Sequence, residues 1–321
     1  MSAAPANLTV HDLSPPPADF RAAVLDGLGA RPRRLAPKFF YDARGSQLFD
    51  AITRQPEYYP TRTELALLRA HGGEIAALLG EELALIELGS GSDLKIRALL
   101  DALRPRAWLP LDISAAHLHR AASAIAHDHP WLAVHALCAD YTRPFALPQA
   151  VAGLRRAAFF PGSSIGNFEP AQAVRLLARV AALLGAGGRL LIGVDLKKAP
   201  ALLDAAYNDA EGVTARFNLN LLHRIRDELG GELDPAGFRH HAFYDAAQAR
   251  VEMHLVATRA QRIAIDGHRF DFAAGEGIHT ENSYKFDAAG FGTLAAAAGF
   301  ATLRVWQDAA GLFSVHALAV A

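Results

Sequence analysis

Leu83-Ala-Leu-Ile-Glu-Leu-Gly-Ser-Gly-Ser92 is the stretch whose reading decides the fold. An apolar run ends in Glu87, and Gly89-Ser90-Gly91 follows at once. The pattern is that of a buried strand breaking into a tight turn, with a helix predicted to start near Asp93. Glycines at 89 and 91 allow positive φ and let a ligand lie against the main chain. A turn of this kind at the carboxyl end of a first strand is where doubly wound α/β folds bind nucleotides. A dinucleotide fingerprint would place a third glycine at position 94, so that the helix packs close to strand and pyrophosphate. Position 94 is Leu.

Outward from this turn, strands and helices alternate. Strands are predicted over 83–88, 107–111, 132–136, 157–160 and 189–194, with helices over 93–103, 114–127 and 170–184. Ser114 is the expected cap of its helix, and Gly185-Ala-Gly-Gly188 ends the third. This order predicts a parallel sheet with right-handed crossovers. After 195 the rhythm changes. Residues 200–229 read as mostly helical, then 238–244, 250–258 and 262–265 as strands, with Gly267-His268 as a hairpin turn. This is an antiparallel insert. A helix over 288–298 then leads to a terminal hairpin, 300–306 and 312–320, turning at Asp308-Ala-Ala-Gly311.

Upstream, residues 1–20 are rich in Pro and Ala and are expected to form a loose arm. A short helix over 20–28 follows, then an aromatic turn over 37–50 that leads into a helix near Ser46. Pro60 is expected to bar a helix at 57–62, before a clean helix over 63–79 capped by Thr61 or Thr63.

Composition narrows the function classes. The 321 residues are 51% apolar, with 32 Lys and Arg against 33 Asp and Glu and a net charge of −1. No basic block supports binding by phosphate neutralisation, so no nucleic-acid partner is expected. The one cysteine, Cys138, leaves no internal disulfide, fits a reducing cytoplasm and reads as a small buried hydrophobe. Residues 1–17 carry neither a positive start nor a long apolar stretch, so no signal peptide is expected. No run reaches the ~18 apolar residues of a membrane span. His117-Leu-His119, His127-Asp-His129 and His240-His241 lack companions at ligand spacing, so no metal is expected. With no coiled-coil pattern, a monomer is expected.

Several residues stand where chemistry is done. Asp112 ends the second strand, 21 residues after Gly91. A carboxylate there can accept both ribose hydroxyls of an adenosine, or it can cap the helix over 114–127. Asp140-Tyr141 follows the third strand. The carboxylate can accept from an adenine amino group and the ring can pack beside the purine, or the pair is a surface turn. Phe160-Pro-Gly-Ser-Ser-Ile-Gly-Asn167 lies at the fourth strand end, where Asn167 offers both a carbonyl and an NH2 to a zwitterionic amino acid. Tyr207 lies on the helix after the fifth strand. Glu281 and Ser283, two apart in an extended segment, point to one face. One acceptor and one hydroxyl suit a ring bearing two nitrogens.

Glu87-x-Gly89-x-Gly91 without a third glycine resembles the first motif of S-adenosylmethionine (SAM) methyltransferases, whose sheets finish with a helix and a hairpin. The predicted fold is therefore α/β, a Rossmann-like class I SAM methyltransferase sheet with a C-terminal antiparallel hairpin, plus a smaller α+β substrate-binding domain. The expected methyltransferase domain is 61–196 with 287–321. The expected substrate domain is 18–60 with 197–286, and 1–17 is a flexible arm.

The chain as a whole resembles the histidine Nα-methyltransferases of ergothioneine biosynthesis. The matching motifs are Phe39-Phe-Tyr-Asp42, Glu57-Tyr-Tyr-Pro-Thr-Arg62, Glu87-Leu-Gly-Ser-Gly91, the 160–167 segment, Ala206-Tyr-Asn-Asp209, Glu252-Met253 and Thr280-Glu-Asn-Ser283, in order across 37–320. The resemblance implies that Gly89, Lys95, Asp112, Asp140 and Tyr141 contact SAM. It implies that Asn167 and Tyr207 hold the carboxylate and amine end of histidine, with Tyr41 nearby; since the motifs hold no histidine or lysine as an obvious strong base, Tyr41 or a water it positions is the expected proton acceptor. Glu281 and Ser283 would bind the imidazole, and Tyr58 and Met253 would line its pocket. A methyltransferase for another amine such as tryptophan, a non-catalytic SAM-binding module, and a nicotinamide-dependent oxidoreductase are the competing readings. Leu94 and the terminal hairpin oppose the last.

Overall fold

The computed structural model describes residues 5–13, 18–91 and 93–321. Ser92 of the opening motif, and residues 1–4 and 14–17 of the expected arm, lie outside them. In chain order the described strands are β1 (Leu8–Asp12), β2 (Leu83–Leu88), β3 (Ala107–Asp112), β4 (Ala133–Cys138), β5 (Arg155–Phe160), β6 (Arg189–Asp195), β7 (Phe238–Asp245), β8 (Arg250–Ala257), β9 (Gln261–Ile265), β10 (His268–Phe272), β11 (Gly277–Tyr284), β12 (Phe300–Gln307) and β13 (Phe313–Val320). The α-helices are α1 (Ala18–Gly29), α2 (Ala43–Ile52), α3 (Tyr59–Leu79), α4 (Leu94–Leu103), α5 (Ala115–Asp128), α6 (Pro170–Leu184), α7 (Pro200–Tyr207), α8 (Val213–Leu229) and α9 (Ala288–Ala297). The chain divides into two compact units, one of Met1–Ser14, Tyr59–Lys198 and Tyr284–Ala321, the other of Pro15–Tyr58 and Ala199–Ser283.

The first unit is built on an eight-stranded sheet in the order β1-β4-β3-β2-β5-β6-β13-β12. β2 pairs in parallel with β3 and β5, and every residue of it is buried. That is the pattern of a central strand covered on both faces. Leu85 faces the core formed with α3, α4 and α5, while Ala84, Ile86 and Leu88 face the core formed with α6 and α9. β13 runs antiparallel between β6 and β12.

Three local expectations are corrected here. Residues 8–12, expected within the loose arm, form strand β1 along β4. The Asn7 amide anchors it by donating to the carbonyls of Ala126, His129 and Leu132 at 3.1, 3.2 and 2.8 Å. α3 begins at Tyr59 and runs through Pro60, because a proline in the first turn has no N–H that the helix would use. Thr63 Oγ1 then donates back to the Tyr59 carbonyl at 2.9 Å instead of capping. Ser114 stands at the N-cap of α5 without a capping bond from its side chain, its backbone N–H donating to Asp112 Oδ1 at 2.8 Å.

In the second unit, β11-β8-β7 form a three-stranded sheet and β9 and β10 a hairpin. Its turn is Asp266-Gly267, both at positive φ, and His268 already opens β10. Two-residue hairpins of the matching twist need positive φ at both central positions, which moves the turn one residue from its expected place. The helical stretch expected over 200–229 breaks between α7 and α8, where the Asp209 carboxylate accepts from Val213 N at 2.6 Å and Thr214 N at 2.8 Å.

One core residue gives the first unit a pH response. His316 of β13 is fully buried, its Nε2 lies 2.9 Å from Ser314 Oγ, and burial lowers its pKa to about 4. The unfolded chain protonates this imidazole near ~6.5 and the folded chain does not until about 4. Its contribution is therefore complete above ~6.5 and is lost as pH falls from there to about 4, by roughly 3 kcal/mol. Urea unfolding at pH 7.5 and 5 should show a smaller loss for His316→Gln than for the parent. Equal losses in both proteins would assign the acid sensitivity elsewhere.

Candidate active site

In the first unit, the turn after β2 is bordered by two of the expected side chains, Asp112 and Tyr141. Gly89 has φ +73°, and its N–H and that of Ser90 donate to the Leu111 carbonyl at 2.8 and 3.0 Å. A Cβ at 89 would lie 3.8 Å from the Tyr141 ring, and one at 91 would lie 3.8 Å from Asp112 Oδ2. Of the two kinds of work expected of Asp112, the one at the helix is present, with Oδ1 taking the Ser114 N–H at the start of α5, while Oδ2 borders the glycine turn. Burial raises its pKa to about 6. Glu87 is buried at the end of β2 and is pushed up to about 8 by that burial. Its Oε2 accepts from Ser90 Oγ and Trp108 Nε1, each at 3.0 Å.

Asp140 is buried and holds its own loop, with Oδ1 accepting from Thr142 N at 2.9 Å. The Tyr141 ring stands edge-on to Phe160 and Phe168, with centroids at 5.6 and 6.5 Å. Burial first, then the charges of Asp112 and Asp140, keeps its phenol protonated.

Lys95 has a partner that the sequence did not reveal. Its Nζ lies 2.6 Å from Glu64 Oε2, and Glu64 is wholly buried on α3. The same carboxylate accepts from Gly162 N at 2.9 and 3.1 Å, tying the loop after β5 to α3. Gly193 makes room, since a Cβ there would stand 2.0 Å from Glu64 Oε1. The available signal was spacing, because position 64 shares the stripe of Leu68, Ile75 and Leu79. Asn167 closes the short 3-10 turn Ser164–Asn167 and is half-buried. Gly166 beside it backs onto the main chain of Tyr284, where a Cβ would meet the carbonyl oxygen at 2.8 Å.

Asp195, at the end of β6, gathers a second buried ionic group. It accepts from Tyr59 Oη at 2.8 Å, from Lys198 Nζ at 2.6 Å and from Lys285 Nζ at 2.7 Å. Burial lowers Lys198 to about 8. Tyr59, Lys198 and Lys285 lie at or next to three of the four places where the chain enters or leaves this unit.

In the second unit, Tyr41 and Tyr58 meet through a third ring. Phe49 is edge-on to both, at 5.7 and 6.4 Å, and Phe217 packs on Tyr41 at 5.7 Å. Tyr207 and Ser283 come together directly, the phenol donating to Ser283 Oγ at 2.7 Å. Ser283 must then donate its own hydrogen elsewhere. Glu281 and Met253 are both buried.

Glu252, His254 and His279, which no ligand spacing in the sequence marks, place possible ligand atoms within 4.8 Å of one another. The Glu252 carboxylate is already engaged there, by Arg250 at 2.6 Å and by His254 Nε2 at 2.8 Å. His279 Nε2 pairs with Asn282 Oδ1 at 2.9 Å.

A parallel sheet closed by an antiparallel hairpin, with a glycine turn after its first central strand and carboxylates after the next two, defines a Rossmann-like methyltransferase of the SAM-dependent class. The chain belongs to the family of SAM-dependent, histidine-specific methyltransferases, whose model matches residues 20–320. It is 42% identical over 301 residues to a histidine N-alpha-methyltransferase of Mycobacterium tuberculosis, covering 92% of this chain and 93% of that protein. The figure for the protein of the same name in Mycolicibacterium smegmatis is 43% over 301 residues, with coverage of 92% and 93%. Ergothioneine biosynthesis protein 1 of Neurospora crassa is 32% identical over 255 residues, 73% of this chain and 29% of that longer protein.

Proposed function

We propose that the protein transfers three methyl groups from SAM to the α-amine of L-histidine, giving trimethylhistidine (hercynine) in ergothioneine biosynthesis. The observation that carries the reading is the Tyr207–Ser283 hydrogen bond between α7 and β11, with Glu281 buried two residues before Ser283 on the same strand. An acceptor and a donor side by side match the two nitrogens of a neutral imidazole.

The turn after β2 fits the adenosyl group. Positive φ at Gly89 leaves its main chain bare, Asp112 Oδ2 borders it, and the Tyr141 ring lies across it. In this reading Gly89, Asp112, Asp140 and Tyr141 hold SAM. Lys95 acts beside them while its charge is balanced by Glu64. When bound, SAM supplies an electrophilic methyl group on a sulfonium. Asn167 and Tyr207 orient the carboxylate and amine of histidine, while Tyr58 and Met253 line the imidazole pocket. Catalysis rests mainly on alignment of the amine nitrogen. A peptide α-amine titrates near ~7.7–8, so each round needs a proton removed, and Tyr41 or a water it orders accepts it. The faces of Tyr41 and Tyr58 favour the growing ammonium.

The residues assigned to SAM belong to a methyltransferase domain of 61–196 with 287–321. Those assigned to the imidazole belong to a substrate domain of 18–60 with 197–286. The Arg250 pairing of Glu252 supports a reaction without a metal ion. Among the described residues no helix is long and apolar enough to cross a membrane. A cytoplasmic monomer acting on a small molecule, without nucleic-acid or membrane partners, completes the reading.

Mass spectrometry of histidine incubated with the protein and SAM, beside tryptophan, tyrosine and histamine, tests it. Sequential gains of one, two and three methyl groups on histidine alone are expected. Gains only on another amine would overturn the substrate, and no product with SAM still bound would overturn the activity. In the same assay Tyr41→Phe should lower kcat about 100-fold, more than it raises the histidine KM. An unchanged kcat would remove Tyr41 as the proton acceptor.

A further inference from the structure

The second unit holds a buried polar chain that none of the roles above employs. Asn218 of α8 is wholly buried, and its amide has three partners. Nδ2 donates to the His254 carbonyl at 3.0 Å and to His240 Nδ1 at 2.9 Å, and Oδ1 accepts from Thr280 Oγ1 at 2.9 Å. Turning the amide over would set its oxygen against the His254 carbonyl oxygen, acceptor against acceptor, so chemistry decides its orientation. An NH2 group only donates. His240 Nδ1 must therefore accept, and the ring carries its proton on Nε2. That N–H donates to the Tyr207 carbonyl at 2.9 Å. Burial lowers the His240 pKa and keeps the ring neutral.

One amide thus reaches three elements. Through His240 it holds the end of α7 at Tyr207, and through the His254 carbonyl it holds β8 next to Met253. Through Thr280 it holds β11 next to Glu281, and Thr280 Oγ1 also lies 3.0 Å from the Met253 carbonyl oxygen. From the His254 carbonyl through Asn218 and His240 to the Tyr207 carbonyl, the donor or acceptor sense of each group is dictated by the next, while the single Thr280 hydroxyl hydrogen is shared between Asn218 Oδ1 and the Met253 carbonyl. A buried network of this kind specifies one arrangement, because any broken link leaves an unpaired polar group inside.

We infer that Asn218 and neutral His240 are positioning residues for the amino-acid substrate, setting Tyr207 against Ser283 and β11 against β8 without touching the substrate themselves. The inference rests on the reading of Tyr207, Met253, Glu281 and Ser283 as substrate contacts. A carboxylate at 218 would face the His254 carbonyl oxygen, acceptor against acceptor, and would accept from His240 only once Nδ1 carries a proton, so the neutral Nε2–H ring of the parent could not persist. A glutamine at 240 carries both an acceptor for Asn218 and a donor for Tyr207, whereas a leucine carries neither.

The test is steady-state kinetics of the full chain with histidine and SAM, on Asn218→Asp, His240→Leu, His240→Gln and Tyr207→Phe, with SAM affinity measured by calorimetry. Asn218→Asp and His240→Leu should raise the histidine KM about tenfold or more, leaving the SAM Kd within about twofold. His240→Gln should restore most of the loss. Nitrogen-15 NMR of the parent protein should show His240 as the Nε2–H tautomer. Unchanged KM in Asn218→Asp and His240→Leu while Tyr207→Phe raises it would overturn the positioning role alone. So would equal damage from Gln and Leu at 240, or an Nδ1–H signature in the parent, which needs no variant to fold. An unchanged KM in Tyr207→Phe would instead overturn the reading of the substrate site.

Discussion

Asp112→Ala should raise the SAM dissociation constant about 100- to 1,000-fold in a calorimetric titration at pH 8. A carboxylate accepting two ribose hydroxyls makes two charge-assisted hydrogen bonds, each contributing roughly 1.5–3 kcal/mol. The structure sets the conditions for seeing the effect. Burial raises the Asp112 pKa to about 6, so at pH 8 the group is ionised and both oxygens accept. Below about pH 6 the parent itself should bind more weakly as the carboxyl protonates, and the difference between parent and variant should shrink. Oδ1 also takes the Ser114 N–H at the start of α5, so the variant should lose about 1 kcal/mol of stability as well. Asp112→Asn separates the two effects, because it keeps an acceptor for Ser114 and removes the charge. An unchanged Kd in a folded Asp112→Ala protein would sink the ribose assignment.

Glu281→Ala should lower kcat/KM for histidine roughly 10- to 100-fold and tryptophan turnover far less, so that the preference between the two ligands collapses. The imidazole N–H would lose a charged, buried acceptor, which costs roughly 1.5–3 kcal/mol. Indole has one N–H and no ring acceptor, so it uses the Glu281 and Ser283 pair less fully and has less to lose. Glu281 is 8% exposed and follows Thr280, whose hydroxyl is tied to Asn218. The strand should therefore stay in place when the carboxylate is removed. Competition between the two amino acids in one reaction reads the ratio directly. A ratio that is the same before and after the substitution would remove Glu281 as the source of selectivity.

The frame of the first unit was legible because it is written in local periodicity. The predicted strand over 83–88 and helix over 170–184 coincide with β2 and α6. The fully buried β2 reads as an unbroken apolar run, and Pro170 starts α6 at the position where proline costs a helix least. Counting from one strand end to the next was enough to bring Asp112 and Tyr141 to the glycine turn. Pro60 bars no helix for a local reason, since it sits in the first turn of α3, where its missing N–H is not used. Elsewhere a tertiary partner overrides the local rule. Residues 8–12 read as an arm by composition, yet β4 offers them an open edge, and three carbonyls at the end of α5 and just after it accept from the Asn7 amide.

By itself the sequence determined the alternation of strands and helices from 83 to 195, the glycine turn and the carboxylates that follow it. These depend on side-chain spacing within one element and on where each element ends. Only the tertiary structure decided which polar groups are paired inside. Glu64 with Lys95 and Gly162, Asp195 with Tyr59 and two lysines, and Asn218 with His240 and Thr280 are each assembled from distant parts of the chain. A buried donor or acceptor must find a partner of opposite sense wherever the fold brings one. That partner is set by packing in three dimensions, which no spacing along the chain encodes.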